Sequence, residues 1–177
     1  MVDDFLLIAV TPPHGENDPA EFIVSLFNQG FHRVHIRKPH WTIGETERLI
    51  QSLPEKYYNK LRLHDYHSLA VKYGLGGVHI NSRNPVNITM LPYSVSCHSL
   101  DDLQRYDDAE YKFLSPIFPS ISKPGYVGEF DLKDLGKQIR SKNVVALGGV
   151  TFDKLQLIKN SGFKGAAMMG ALMKSSH

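Results

Sequence analysis

Apolar residues follow two alternating rhythms along the chain: short continuous runs, and longer stretches in which they return every three or four positions. Residues 5–10 have the length of a buried strand. Residues 19–29 repeat apolar positions at helical spacing until Gly30 stops them. The pair then recurs. A strand is expected over 33–37, and a helix opens at Thr42 or Gly44 and runs to Leu53, before Pro54. Next come a strand over 61–65, a short helix over 67–73 closed by Gly74, and a strand over 77–81. Between Asn81 and Tyr93 the rhythm fails. That stretch is crowded with turn formers and too short for a helix with two loops, so the fourth helix is expected to be missing or reduced to a turn. The alternation resumes with a strand over 94–98, a helix over 100–106, strand six from Tyr111, a helix over 131–140, strand seven from Val144, a helix over 152–161 and strand eight over 165–170. Little sequence follows, which leaves the eighth helix absent or abbreviated.

Strands joined by helical crossovers pair in parallel, and eight of them predict an α/β fold, a compact (β/α)8 TIM barrel with the fourth and eighth helices reduced. An open doubly wound sheet is the alternative. The chain reads as one domain over residues 1–177, short for a barrel that usually needs more than about 200 residues, in keeping with clipped helices.

Composition narrows the partners. Twenty Lys and Arg against 18 Asp and Glu give a net charge of +2, and no basic run leaves a footprint for nucleic acid or an anionic membrane. No stretch approaches the roughly 20 apolar residues of a membrane span. Asp3 and Asp4 stand where a signal peptide carries bases, and the lone Cys97 excludes an internal disulfide. The expected location is the cytoplasm; homodimerisation is left open.

In such a barrel, ligands sit at the carboxyl ends of the strands. Strand seven ends in Leu147-Gly-Gly-Val150 and strand eight in Met169-Gly170. Glycines there let backbone N–H groups approach an anion, so Gly148, Gly149, Met169 and Gly170 are candidates to hold the phosphate of a small phosphorylated substrate. In strand two, His35 and Arg37 share parity, a cationic pair suited to phosphate or diphosphate unless Arg37 serves a structural carboxylate; Lys38 has the opposite parity. After strand three, His64 precedes Asp65, which could ligate Mg²⁺, accept a substrate hydrogen bond or cap the next helix. His79 reads as a satisfied core residue, and nothing in the spacing of the nine histidines reads as a zinc site. His98 closes strand five just before a helix and has the ionisation suited to moving a proton; helix capping or a structural hydrogen bond is the alternative. Cys97 faces the other way, as a buried thiol. The turn after strand six offers Ser120, Ser122 and Lys123, two hydroxyls and an ammonium fit for a diphosphate.

In chain order, Val34-His-Ile-Arg37, Leu61-Arg-Leu-His-Asp65, Gly77-Val-His-Ile80, Ser96-Cys-His-Ser99, Ser115-Pro-Ile-Phe-Pro-Ser-Ile-Ser-Lys-Pro124 and Val145-Ala-Leu-Gly-Gly-Val150 resemble the thiamine phosphate synthase and TenI (thiazole tautomerase) family over nearly the whole chain. The resemblance implies a TIM barrel acting on thiazole phosphate. It implies that Gly148, Gly149, Met169 and Gly170 hold that phosphate, and that Ser120, Ser122 and Lys123 contact diphosphate. His35, Arg37 and His64 would belong to the diphosphate–pyrimidine half, with Asp65 as the magnesium ligand. Synthases of the family join hydroxymethylpyrimidine diphosphate to thiazole phosphate with loss of diphosphate. Two departures weaken that half. Pro39 stands at the family's diphosphate-binding lysine, and the pattern Gly-Gln-x-Asp reads Asn81-Ser-Arg-Asn84, so a second magnesium carboxylate is an amide. On these grounds the resemblance points first to a thiazole tautomerase with His98 as the proton relay and no cofactor. The alternative is a genuine synthase with a weakened Mg²⁺ site, and after it a non-catalytic binder of thiamine precursors.

Overall fold

The computed structural model describes residues 3–119, 130–140 and 142–175. Eight parallel strands close into a barrel in sequence order, with β1 paired to β8. They are β1 (Leu6–Val10), β2 (Arg33–Ile36), β3 (Leu61–Leu63), β4 (Gly77–Ile80), β5 (Tyr93–Cys97), β6 (Tyr111–Leu114), β7 (Val144–Ala146) and β8 (Gly165–Met168). The crossovers are α1 (Pro19–Asn28), α2 (Ile43–Ser52), α3 (His67–Tyr73), α4 (Leu100–Arg105), α5 (Leu132–Ile139) and α6 (Leu155–Asn160), and α7 (Gly170–Ser175) follows β8. No helix joins β4 to β5, and the helix after β8 is only six residues long, as the failed rhythm and the short tail predict. No helix among the described residues is long and apolar enough to cross a membrane.

Local chemistry places the helix starts. Asp18 accepts the Glu21 N–H ahead of Pro19, and Thr42 and Glu45 cap α2 reciprocally. The strands stop earlier than their apolar runs, so Arg37, His64, Asp65 and His98 all lie just beyond a strand end. A 3₁₀ turn over Glu55–Lys60, unmarked by the apolar spacing, precedes β3.

Two packed layers follow from the period of two along each strand. One set of strand residues, including Ala9, Val34, Ile36, Leu63, Val78, Cys97, Leu114 and Ala146, packs against helical Ile23, Leu26, Leu49, Leu103 and Ile158. The alternate set, Ile8, Val10, Tyr111, Phe113, Val145 and Ala167, forms a separate inner cluster. His35 and His79 join it through ring contacts with Phe113. The barrel interior therefore combines an apolar plug with buried imidazoles, and the site lies above it.

Candidate active site

A cavity of about 450 Å³ opens at the carboxyl ends of the strands. Arg37 after β2, His64 after β3, Arg83 after β4, His98 after β5, Leu147 after β7 and Met169 after β8 all reach it. Val10, Ile80, Val95 and Phe113 contribute its apolar floor and wall. An apolar pocket with a few convergent polar groups is the usual form of a small-molecule site.

Arg37 and Arg83 give one side of the cavity its charge. Burial, and then the nearby Arg83, lower the Arg37 pKa, with Asp65 offsetting part of the effect; a guanidinium stays cationic at neutral pH regardless. The Arg37 guanidinium has no hydrogen bond or ion pair with another described residue. Arg83 is committed to Asp65: Nε donates to Oδ1 at 3.3 Å and Nη2 to Oδ2 at 3.2 Å. Asn84 Nδ2 also donates to Asp65 Oδ1, at 2.9 Å.

His35 needs correction as a cation at the mouth. It is fully buried below the cavity, which it does not line, and desolvation holds its pKa well below the usual imidazole value. Nδ1 shares a hydrogen bond with His64 Nε2 at 2.9 Å, and Nε2 shares one with Tyr111 Oη at 2.5 Å. His79 stacks on His64 with centroids 4.2 Å apart, and its two nitrogens bond Ser94 and Ser96 hydroxyls at 2.7 and 2.8 Å. Burial, first of all, lowers the His79 pKa to about 3. Sequence spacing shows no metal cluster, yet the fold brings ligand atoms of His35, His64 and His79 within 4.8 Å of one another. Every ring nitrogen of His35 and His79 is committed to the hydrogen-bond chain; of the three rings, His64 alone has a buried nitrogen, Nδ1, without a hydrogen-bond partner among the described residues. The trio is a neutral scaffold under the pocket, with His79 the satisfied core residue the sequence suggests.

His98 is exposed and lines the cavity. Its Nδ1 lies 3.2 Å from the Ser115 carbonyl, and its Nε2 has no hydrogen-bond partner among the described residues. Ser99, not His98, caps α4 by accepting the Asp102 N–H. Cys97 is buried, and desolvation pushes its thiol up to about 11, so it is no nucleophile near neutral pH.

At the β7 end, Gly148 and Gly149 have φ of +94° and +66°. A Cβ at Gly149 would meet Pro119 O at 2.2 Å, and one at Gly148 would meet Pro116 Cα at 2.8 Å. Close approach of the chain after β6 thus demands glycine here, independently of any ligand. The N–H groups of Gly148, Gly149 and Gly170 donate to no other described residue and remain available to an anion. Ser120, Ser122 and Lys123 lie outside the described residues. Lys38 turns away from the cavity, buried against both Glu16 carboxylate oxygens at 2.6 and 2.8 Å, as its parity requires.

The model of a family described as thiamine monophosphate synthase matches residues 7–172. This chain belongs to the thiamine monophosphate synthase family. A thiamine-phosphate synthase of Photorhabdus laumondii is 25% identical over 173 residues, covering 89% of this chain and 80% of that protein. One from Lysinibacillus sphaericus is 30% identical over 72% of this chain and 65% of its own length. Among solved structures, a thiamine phosphate pyrophosphorylase from Bacteroides thetaiotaomicron superposes with a TM-score of 0.82 at 35% identity, over 96% of this chain and 85% of the other. A tryptophan synthase α-subunit from Pyrococcus furiosus, at 13% identity and a TM-score of 0.66, shares the barrel alone.

The magnesium implied by the resemblance does not fit that side. Mg²⁺ requires oxygen donors and favours carboxylates. Both oxygens of Asp65 face the Arg83 fork, and Asn84 turns its amide nitrogen, a donor, toward the same carboxylate. Around this corner the cavity is lined by Arg37, Arg83, His64, Asn81 and Ser82, and none of them adds a second carboxylate to Asp65.

Proposed function

We propose that this protein is a thiamine-phosphate synthase, joining hydroxymethylpyrimidine diphosphate to thiazole phosphate. The observation that carries the reading is charge placed across the barrel: Arg37 and Arg83 face one side of the cavity, while the β7 and β8 ends, where the N–H groups of Gly148, Gly149 and Gly170 have no partner among the described residues, border the other. A reaction that brings two phosphorylated molecules together needs two anion sites flanking one apolar space.

In this reading, Gly148, Gly149, Met169 and Gly170 hold the thiazole phosphate, and Arg37 and Arg83 hold the diphosphate, with Ser120, Ser122 and Lys123 assigned to the same anion by the resemblance. The bond from the pyrimidine methylene carbon to the diphosphate oxygen breaks, and its electron pair leaves with diphosphate. The thiazole nitrogen lone pair forms the new carbon–nitrogen bond. Preorganised cations stabilise charge on the departing group, the effect that dominates such catalysis. Phe113, Ile80 and Val95 keep water from the methylene cation.

Proton relay by His98, the first expectation from sequence, has a specific support in the uncommitted Nε2 at the cavity. The relatives named above carry the synthase name, which favours coupling. Calorimetry separates the subsites. Arg37→Ala should weaken hydroxymethylpyrimidine diphosphate binding by roughly tenfold or more, the loss of a charge-assisted hydrogen bond, and leave thiazole phosphate binding unchanged. Equal losses for both ligands would put Arg37 outside a diphosphate subsite.

A further inference from the structure

We propose that Arg83 occupies the place of the divalent cation in this site, so that diphosphate is bound by guanidinium groups without magnesium. The inference rests on the synthase reading for the identity of the anion, but its geometry stands on the β4–β5 connection alone.

Where a helix would be expected after β4, the chain makes a turn fixed by its own asparagines. Asn81 Oδ1 accepts the backbone N–H of Arg83 at 2.9 Å and of Asn84 at 3.0 Å, and Asn81 and Asn84 exchange backbone hydrogen bonds at 3.1 Å. Asn84 is anchored further by its Nδ2 contact with the His64 carbonyl, at 2.9 Å. The turn brings Arg83 onto Asp65 and to the cavity edge beside Arg37.

A hard cation in such a site neutralises its carboxylates and presents surplus positive charge to phosphate oxygens. Arg83 does both without a metal. Two of its five N–H groups point at Asp65, which leaves three, those of Nη1 and one on Nη2, for an anion. Asp65 cancels one of the two guanidinium charges, and the other remains as net positive charge at the cavity edge. Guanidinium forks match phosphate oxygens bidentately and cannot be removed by chelation. The carboxylate in turn fixes the Arg83 side chain, which reduces the ordering lost when the ligand binds. Asn84 agrees with this assignment: an amide nitrogen supports Asp65 as an acceptor, whereas a second carboxylate there would suit a metal.

The test is calorimetric titration with inorganic diphosphate, of protein treated with chelator and of protein supplied with Mg²⁺, for the native chain, Arg83→Ala and Arg83→Lys. The native protein should bind diphosphate after chelation, and Mg²⁺ should not tighten it. Arg83→Ala should lose affinity by roughly tenfold or more in chelator, with Arg83→Lys between the two because it keeps the charge and loses the fork. Diphosphate binding that appears only with Mg²⁺, or that Mg²⁺ tightens tenfold, overturns the assignment; so does absence of diphosphate binding in both conditions, or full affinity in Arg83→Ala. Far-ultraviolet circular dichroism on the same samples checks that the variants fold. Thiazole phosphate is titrated in parallel. Its failure to bind would count against the synthase reading, while the diphosphate series would still decide the role of Arg83.

Discussion

Three imidazoles under the cavity make acid a sensitive probe of individual residues. Burial holds His35, His64 and His79 neutral in the folded protein, with His79 at about 3. Unfolding returns each to the ordinary value of about 6.5, so below that pH the unfolded chain binds more protons and stability falls as pH falls. The loss should begin near pH 6.5 and continue toward the depressed folded values, at up to about 1.4 kcal/mol per pH unit for each group. Urea unfolding between pH 7.5 and 4.5 measures it; a flat profile would mean that these rings are solvated. Gly149 gives a second residue-scale test. Its φ of +66° and the 2.2 Å approach of a Cβ to Pro119 O make Gly149→Ala a packing change, expected to destabilise the fold by about 1–3 kcal/mol. A lowered Tm checks this; a native Tm with weakened phosphate affinity would instead mark Gly149 as a ligand contact alone. The parity of His35 and Arg37 was readable from the chain, but their depth was not. Two residues advance a strand by about 7 Å, enough to put one ring in the core and the next side chain at the rim.

Elements were the most legible part of the sequence, because a strand buried on both faces and an amphipathic helix write different apolar periods. The absent helix after β4 was visible as lost periodicity. What replaced it was not, since a turn held by Asn81 and Asn84 leaves no periodic signal and aims Arg83 through local hydrogen bonds. The link between the β1–α1 loop and β2 was equally hidden. Lys38 Nζ meets Glu16 at 2.6 Å with both side chains almost fully buried. Lys38→Met leaves that carboxylate unpaired and should destabilise the protein by about 3–5 kcal/mol. Replacing both partners, Lys38→Met with Glu16→Leu, should restore much of the loss. Denaturant melts of the single and double variants decide whether the pair is a structural lock. Neither change should alter diphosphate affinity, because Lys38 faces away from the cavity.

At the scale of the molecule, the closed barrel converts scattered sequence signals into one cavity. Residues in or just after all eight strands converge on it, although 132 positions separate Arg37 from Met169. The sequence resemblance located the strand ends and the family; it could not reveal that the corner it assigns to magnesium holds an Arg83–Asp65 fork, because that depends on where a loop without periodicity folds. The central claim is coupling of two substrates across that cavity. The most direct measurement incubates the purified protein with hydroxymethylpyrimidine diphosphate and thiazole phosphate, and separately with the unaromatised thiazole carboxylate phosphate, following products by mass spectrometry and NMR. The account predicts thiamine phosphate and diphosphate in equal amounts from the first mixture. No coupled product there, together with conversion of the unaromatised thiazole in the second, would contradict it and return the site to proton relay by His98.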